Sequence, residues 1–467
     1  MDLLVKVLEE VIERVKPKDH ERELVNRVIS KVVRRLKEVS VSLNIDADIR
    51  VEGSIAKDTW ISGDRDIDIF IRLPKQIGKA GLERIGLEIA RRAAGNRWVE
   101  CYAEHPYIEA EIEGFKIDLV PCFNVSRAEE ALSSVDRTPF HTEYVKSHLK
   151  RELRDEVRLL KQFMKGIGVY GAEIKVQGFS GYLCELLVIH YGSFIDVLRE
   201  ASQWKPYSTI IDIEGYYESP EDALRIFNAP LVVVDPVDPS RNVAAALSLS
   251  KMCEFIAAAR IFLRKPSTAF FYPPETRPLS FESLVNEIER RNLDYLFIAT
   301  CCPKVHPDIL WGQIYKSRDG IRRLLESHGF KVLRAAAWSD EREYIIFIYE
   351  LESCILPRAE KHVGPPVHAM EHSDSFIMKH LSSENRIAGP FIENGRWIVY
   401  INRRHNNAKN LIERKILCAR LGTLIRRCLS RRMVVLVNEE IRELYEGIRD
   451  FSMFLTDFLK AKPKWLN

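Results

Sequence analysis

The feature that most constrains this fold is a short apolar segment that opens with two aspartates. β-Branched and aromatic residues dominate the run Asp66-Ile67-Asp68-Ile69-Phe70-Ile71-Arg72, which predicts a β-strand. Residues two positions apart on a strand point to the same face of a sheet. Both carboxylates therefore share one face, where they can bind Mg²⁺.

A second apolar segment adds another carboxylate. Asp118 lies between apolar residues in Phe115-Lys116-Ile117-Asp118-Leu119-Val120, and an aspartate is seldom buried without a partner or a metal. If the two strands pair, Asp66, Asp68 and Asp118 can clamp two Mg²⁺ ions roughly 3.5–4 Å apart, an arrangement suited to in-line phosphoryl displacement. The alternative is that Asp118 only pairs with an arginine. Upstream, the Gly53-Ser54 turn offers backbone N–H groups and a hydroxyl to phosphates.

Length and composition indicate a soluble intracellular protein of several domains. The chain has 467 residues, of which 46% are hydrophobic and 29% are charged, enough to bury more than one core. Its nine cysteines lack the Cys-x₂-Cys spacing of zinc sites, which favours free thiols in a reducing compartment. No run approaches the roughly 18 apolar residues of a membrane span. We therefore expect a cytoplasmic protein with no membrane partner.

Positive charge is concentrated near the C-terminal end, although the formal net charge is only +3. Between positions 401 and 432 the sequence has ten Lys or Arg residues and one acid, Glu413. Leucines and isoleucines at helical spacing interrupt this run, which predicts a helix with one core face and one basic face. A solvated face is the usual explanation of such a run, but phosphate contact is at least as well supported. The RNA-binding candidates are Arg403, Arg404, Arg426 and Arg427.

Periodicity predicts an α+β protein of several domains. Amphipathic helices are expected at 2–15 and 21–39, strands at 49–52, 67–72, 107–113 and 115–120, and long helical patterns at 156–165 and 180–200. A strand, helix, strand, strand order at 295–299, 309–327, 331–336 and 344–350 predicts a small ferredoxin-like or RNA-recognition-like domain. Proline-rich stretches at 266–278 and 364–366 are its expected boundaries.

The motifs resemble a known superfamily. Gly53-Ser54 followed by Asp66-x-Asp68 and a distant Asp118 is similar to the DNA polymerase beta nucleotidyltransferases. Longer runs, in order along the chain, resemble the archaeal, class I CCA-adding enzymes: Ala103-Glu104-His105-Pro106-Tyr107, Ser134-Val135-Asp136-Arg137-Thr138-Pro139-Phe140-His141, Tyr170-Gly171-Ala172-Glu173, Gly178-Phe179-Ser180-Gly181-Tyr182-Leu183-Cys184-Glu185-Leu186-Leu187, Asp235-Pro236-Val237-Asp238-Pro239-Ser240-Arg241-Asn242-Val243-Ala244-Ala245 and Gly389-Pro390-Phe391-Ile392-Glu393-Asn394-Gly395-Arg396-Trp397. Two positions depart from the family pattern, with Asp66 in place of Glu and Lys57 in place of Arg. Both keep their charge, so they bear on metal distance and phosphate geometry rather than on the activity.

The resemblance implies an architecture. A polymerase-beta-like nucleotidyltransferase head would occupy 1–146, an α-helical nucleotide-binding domain 147–265, an α+β tRNA-contacting domain 266–380 and a basic helical region 381–467. It also implies a chemistry, in which a terminal RNA 3′-hydroxyl attacks the α-phosphate of a nucleoside triphosphate and pyrophosphate leaves.

The resemblance further implies roles for single residues. Asp66 and Asp68 would bridge both metal ions, and Asp118 would bind the ion nearer the hydroxyl. The triphosphate would contact Ser54 and Lys57, and its β- and γ-phosphates would contact Lys161 and Tyr170. His141 would contact the nucleotide, and Arg241 would lie near the base and phosphates. Simpler explanations exist, since Lys161 lies on an amphipathic helix where lysines usually extend to solvent, and Tyr170 is placed to cap a helix end.

Three functions compete on this sequence. The first is a CCA-adding tRNA nucleotidyltransferase that uses CTP and ATP without a nucleic-acid template and recognises the acceptor and T arms of tRNA. The second is a poly(A) polymerase or terminal uridylyltransferase of the same superfamily. The third is an inert RNA-binding protein, against which the three carboxylates argue. A homodimer is one arrangement that the sequence leaves open.

Overall fold

A computed structural model describes residues 2–102 and 106–466. The chain forms two compact units. The first comprises Met1–Glu275 and Lys462–Asn467, and the second comprises Thr276–Ala461.

A five-stranded sheet forms the N-terminal part of the first unit, in the order β1-β2-β5-β4-β3. Its strands are β1 (Asp48–Val51), β2 (Asp66–Pro74), β3 (Trp98–Tyr102), β4 (Pro106–Ile112) and β5 (Phe115–Asn124). The accompanying helices are α1 (Asp2–Val15), α2 (Asp19–Ser42), α3 (Gly53–Ala56), α4 (Gly78–Gly81), α5 (Leu87–Ala94) and α6 (Ser134–His148). The four predicted strands are thus present, and β3 joins them at the edge.

Alternation along β2 decides which face becomes core. Ile67, Ile69 and Ile71 are buried and belong to the same apolar cluster as Val28 and Val32 of α2. The intervening positions, which include both aspartates, face the other side of the sheet. Packing of helices on one face therefore leaves the opposite face available for the carboxylates.

The rest of the first unit is mainly helical, with a small sheet in the order β6-β7-β8. Its helices are α7 (Arg154–Ile167), α8 (Gly181–Tyr191), α9 (Phe194–Ala201), α10 (Pro220–Ile226) and α11 (Leu249–Arg264), and its strands are β6 (Thr209–Ile211), β7 (Leu231–Asp235) and β8 (Asp238–Asn242). The helical pattern predicted over 180–200 is divided in two. Gly192 has a φ of +95°, and the Ser193 hydroxyl accepts a hydrogen bond from the backbone N–H of Asp196 to start α9.

The second unit contains two antiparallel sheets. The larger has the order β10-β11-β9-β15 and the smaller the order β12-β14-β13. The strands are β9 (Asp294–Cys301), β10 (Val332–Ser339), β11 (Tyr344–Leu351), β12 (Ala359–Pro366), β13 (Arg386–Glu393), β14 (Arg396–Asn402) and β15 (Met433–Val437). The helices are α12 (Phe281–Arg291), α13 (Pro307–Ser327), α14 (Met370–Leu381), α15 (Ala408–Lys415), α16 (Thr423–Arg431), α17 (Arg442–Gly447) and α18 (Arg449–Lys460). The predicted strand, helix, strand, strand order is β9, α13, β10 and β11.

Two local expectations differ from the structure of this unit. The stretch 364–366 is the end of β12 rather than a linker, because Pro366 pairs with Arg396 of β14. Gly364 also lies close to α14, since a Cβ there would be 2.6 Å from the Phe376 ring. The basic segment 401–432 begins in β14 and contains α15 and α16 rather than one helix. The domain limits themselves remain predictions.

Among the described residues, no single helix has both the length and the apolar composition to cross a membrane. The bent pair α8 and α9, which meet at 93°, has this length and composition only when the two helices are counted together.

Candidate active site

Parallel pairing of β2 with β5 brings the predicted carboxylates together. The register places Asp68 opposite Asp118 and Asp66 opposite Lys116. Asp66 is exposed, whereas Asp68 and Asp118 are half-buried. The three side chains therefore share one face of the sheet, and two of them lie on directly paired positions.

The carboxylates lack enough positive charge around them. Burial raises the pKa of Asp118 to about 7, and Asp68 and Glu109 add to the rise while Lys116 opposes it. Burial also raises the pKa of Asp68, against the opposing influence of Lys57. Among the described residues, Asp118 Oδ1 is buried without a hydrogen-bond partner. A cation bound here would relieve both the repulsion and the missing contact.

The donor set fits Mg²⁺ that is completed by a substrate. Within the described chain, no group of three or more His, Cys, Asp or Glu side chains could hold a metal ion by itself. Magnesium ordinarily uses one or two carboxylates together with substrate phosphates and water, so an open set of hard oxygen ligands suits it. The residues present therefore fit the predicted ion.

The Gly53-Ser54 turn lies directly against this site. Gly53 has a φ of +68°, and a Cβ at this position would lie 1.9 Å from Asp68 Oδ2. The backbone N–H of Glu52 also donates to the Asp68 carbonyl at 2.9 Å. Ser54, half-buried on α3, is thereby held beside the carboxylates.

Three further predicted residues surround the first turn of α8. Lys57 Nζ lies 2.5 Å from Glu185 Oε2, and Lys161 Nζ lies 3.1 Å from Glu185 Oε1. A Cβ on Gly181 would lie 3.0 Å from the Tyr170 hydroxyl and 3.6 Å from Lys161 Nζ. The N-terminus of an 11-residue helix, with its positive end, thus meets two ammonium groups and a phenol.

The buried carboxylate of Asp235 contacts the remaining two predicted nucleotide-binding residues, His141 and Arg241. Asp235 Oδ2 lies 2.9 Å from His141 Nε2 and 3.7 Å from Arg241 Nη1, and its Oδ1 accepts from the Tyr182 hydroxyl at 3.3 Å. Burial alone would raise the pKa of Asp235, but the hydrogen bond and charge of His141 outweigh it and lower the pKa. The His141 and Tyr182 rings are stacked with centroids 4.3 Å apart.

One cavity joins these groups. It has a volume of about 560 Å³, and its lining includes Asp118, His141, Tyr182, Asp235 and Arg241. Its apolar walls and few convergent polar groups are typical of a small-molecule site. Asp118 and the groups around Asp235 therefore line one cavity in the first unit, and Asp68 lies beside Asp118 on the paired strand.

The four RNA-binding candidates belong to the second unit and differ in their contacts. Arg403 donates to the Pro357 carbonyl at 3.2 Å, and Arg426 donates to the carbonyls of Leu417 and Ala419. Arg404 and Arg427 are exposed. Of the motif runs, Ala103–His105 lie outside the described residues.

Sequence reasoning gave no role to Glu185, Asp235 and Tyr182, although all three stand in the quoted motif runs. The available signal was Glu185, a single charge within the apolar run from 178 to 187, since glutamate is rarely buried without partners. Its partners could not be read from the sequence because Lys57 is 128 positions away.

Comparisons with known proteins show what the chain is similar to. Three family models match in order along the chain: "Nucleotidyltransferase domain" at 29–141, "tRNA nucleotidyltransferase, second domain" at 155–272 and "CCA-adding enzyme, C-terminal domain" at 295–438. Among solved structures, one described as a cytoplasmic RNA terminal U-transferase has a TM-score of 0.46 at 17% identity, covering 58% of this chain and 98% of that chain.

Curated relatives extend the match over almost the whole sequence. The CCA-adding enzyme of Methanosarcina acetivorans is 41% identical over 95% of this chain and 96% of its own length. Those of Halobacterium salinarum and Pyrobaculum neutrophilum are 43% and 40% identical, over 83% and 89% of this chain and 83% and 94% of their own lengths. Since these relatives are about 40% identical to this chain over most of its length, the chain belongs to the CCA-adding enzymes and is a nucleotidyltransferase.

Proposed function

We propose that this protein adds C, C and A to the 3′ end of tRNA, using CTP and ATP and no nucleic-acid template. The observation that carries the proposal is the single cavity in which Asp118, with its unpartnered buried oxygen, faces His141 and Arg241. One proposed metal ligand, Asp118, and groups suited to a nucleotide thus line one space of about 560 Å³.

Asp66, Asp68 and Asp118 would hold two Mg²⁺ ions. When bound, these ions supply a lowered pKa for the attacking hydroxyl and neutralise charge on the leaving pyrophosphate. The protein's own contribution is placement. The sheet fixes Asp68 and Asp118 on paired strands, and Gly53 leaves room for the Asp68 carboxylate.

The triphosphate would lie against Ser54, Lys57, Lys161 and Tyr170. The positive end of α8 and the two ammonium groups face the same region, which favours a polyanion. His141 and Arg241 would contact the nucleotide farther along the cavity, held in place by Asp235.

The RNA would be bound by the second unit through the acceptor and T arms of tRNA. An A-form rod is read by shape and backbone contacts, for which exposed arginines such as Arg404 and Arg427 are suited. A homodimer and a cytoplasmic location remain predictions from the sequence.

Substitution of the carboxylates tests the metal assignment. We expect Asp68→Asn and Asp118→Asn to lower kcat for CMP and AMP addition on the order of 10²-fold or more, with tRNA affinity within about 2-fold, because metal ligands act on the transition state. The matched control is Glu111→Gln, an exposed carboxylate on the neighbouring strand, which should retain activity. Normal turnover in either aspartate variant would eliminate the assignment.

A further inference from the structure

A buried charged cluster lies beside the carboxylate site, and Glu185 is at its centre. Glu185 and Thr59 are fully buried, and Lys57 and Lys161 are 8% and 2% exposed. The Thr59 hydroxyl donates to Glu185 Oε1 at 2.5 Å. Lys161 donates to that oxygen and to the hydroxyl and carbonyl of Thr59, so all three of its N–H groups have acceptors.

The Lys57 ammonium has fewer hydrogen-bond acceptors than the Lys161 ammonium. Within the described chain, Glu185 is the hydrogen-bond acceptor of the Lys57 ammonium, and its other two N–H donors have no protein acceptor. Lys57 Nζ also lies 5.8 Å from the centre of the Tyr182 ring, which lines the cavity. Lys57, with two open donors, therefore lies next to a residue of the cavity wall.

The charges of this cluster extend to the carboxylate site. Two ammonium groups share Glu185, and the charge of Lys57 also acts on the Asp68 carboxylate, where it opposes the rise in pKa that burial causes. Burial alone would raise the pKa of Glu185, but Lys161 and Lys57 outweigh it and bring the pKa to about 2. Burial lowers the pKa of Lys161, Glu185 counteracts this, and Lys57 adds to the lowering. Lys57 therefore interacts with both Glu185 and Asp68, and its open N–H donors leave room for a further acceptor.

A purely structural ion cluster in the same unit looks different. Arg158, which is also buried, donates to the Trp60 and Asp58 carbonyls and to the carboxylates of Asp58 and Asp155. Each of the three guanidinium nitrogens thus donates to a protein oxygen. In the cluster around Glu185, in contrast, the Lys57 ammonium keeps two donors without an acceptor among the described residues.

We propose that Glu185 is a positioning residue for the nucleoside triphosphate: it holds the ammonium groups of Lys57 and Lys161 side by side, both charged, so that the phosphates complete the cluster. This inference rests on the proposed function, in which the two lysines contact the triphosphate. Glu185 itself does not touch the substrate and acts through the lysines. The same role explains how a lysine serves at position 57, where the resemblance led us to expect arginine, because a shared carboxylate fixes the flexible lysine side chain.

Glu185→Gln keeps the shape of the side chain and removes its charge. We expect the KM for CTP and for ATP to rise alike by about 10-fold with kcat within about 3-fold of wild type, because phosphates carry no base identity. The ratio of variant to wild-type KM should also grow from about pH 7 to pH 9, because Lys161 loses its proton at lower pH once the carboxylate is gone. The titratable groups facing Lys161 are Glu185 and Cys184 on α8, Lys57 after α3, and the Tyr170 hydroxyl.

Asp136→Asn is the matched control. Asp136 is as buried as Glu185 but serves the backbone, accepting hydrogen bonds from the N–H groups of Phe123, Leu132 and Ser133 near the start of α6. This variant should lower the melting temperature without a pH-dependent KM ratio. If Glu185→Gln behaves in the same way, Glu185 is only structural and the proposal is overturned.

Two more variants complete the test. Glu185→Asp keeps the charge but is one methylene shorter, so it should raise the KM for CTP and for ATP without the pH dependence. This variant tests the proposal if Glu185→Gln does not fold. A wild-type KM in Glu185→Asp would overturn the proposal. Lys57→Met and Lys161→Met separate the triphosphate assignment from the role of Glu185. Unchanged KM values in both lysine variants would overturn the triphosphate assignment. Raised KM values in the lysine variants, with a normal Glu185→Gln enzyme, would overturn only the role of Glu185.

Discussion

Gly53 allows the Asp68 carboxylate to lie close to the backbone of the Gly53-Ser54 turn. Its φ of +68° lies in the left-handed region that favours glycine, and the space where a Cβ would stand is filled by the Asp68 carboxylate. Gly63 offers a comparison, since its φ is +85° but a Cβ would meet nothing within 4 Å. The two glycines therefore separate backbone strain from crowding of the metal site.

Gly53→Ala should impair catalysis far more than stability. The methyl group displaces Asp68, so we expect kcat/KM to fall on the order of 10²-fold and the Mg²⁺ concentration for half-maximal rate to rise. Gly63→Ala should cost only the strain, about 1 kcal/mol of unfolding free energy, with near-normal activity. Metal titrations of the rate and denaturant unfolding measure both effects. Equal losses of activity in the two variants would show that strain alone matters.

At the scale of elements, the basic segment illustrates how tertiary contacts replace periodicity. Its pattern predicted one helix, but the chain between α15 and α16 lies against α13. A Cβ on Gly422 would be 2.2 Å from Gln313 Oε1, and one on Gly320 would be 2.2 Å from the Arg420 carbonyl. Two glycines thus permit a close approach that divides the helix, and neither stands out in the sequence as a boundary.

This division gives neighbouring arginines of α16 different tasks. Arg426 donates to two carbonyls that precede its helix, whereas Arg427 is exposed. We expect Arg427→Ala to raise KM for tRNA by about 3- to 10-fold and to reduce its salt slope by about 1, because one phosphate contact is lost. Arg426→Ala should instead lower the unfolding free energy by about 1 kcal/mol.

Measurements of KM at several salt concentrations, with melting curves, distinguish the two arginines. An unchanged salt slope in Arg427→Ala would mean that this face of α16 is solvated and makes no phosphate contact.

Across the whole molecule, local patterns were readable from the sequence and long-range pairings were not. The alternation around Ile67, Ile69 and Ile71 predicted β2, and three separated aspartates predicted the metal site. The partners that hold the site together are distant: Glu185 meets Lys57 across 128 positions, and Asp235 meets His141 across 94. Such pairs form when helices and strands pack in the folded protein. Periodicity along the sequence predicts each element, but it does not show which distant elements pack together.

Recognition of the RNA substrate also depends on parts of the chain that are distant in sequence, and a comparison of RNA substrates tests it. A polymerase that needs only a free 3′ end should extend an unstructured RNA about as well as a structured one, because the carboxylates and the triphosphate site contact only terminal residues. If the second unit recognises the acceptor and T arms by shape, a minihelix of these arms should be extended with C, C and A and then released. An unstructured RNA of equal length should be a poor substrate, and Arg427→Ala should weaken use of the minihelix more than use of that RNA. Sequencing of the products from purified protein, Mg²⁺, CTP and ATP reads out both. Homopolymer tails on both RNAs, without termination after three additions, would contradict the proposed tRNA specificity and favour a polymerase that adds one nucleotide repeatedly.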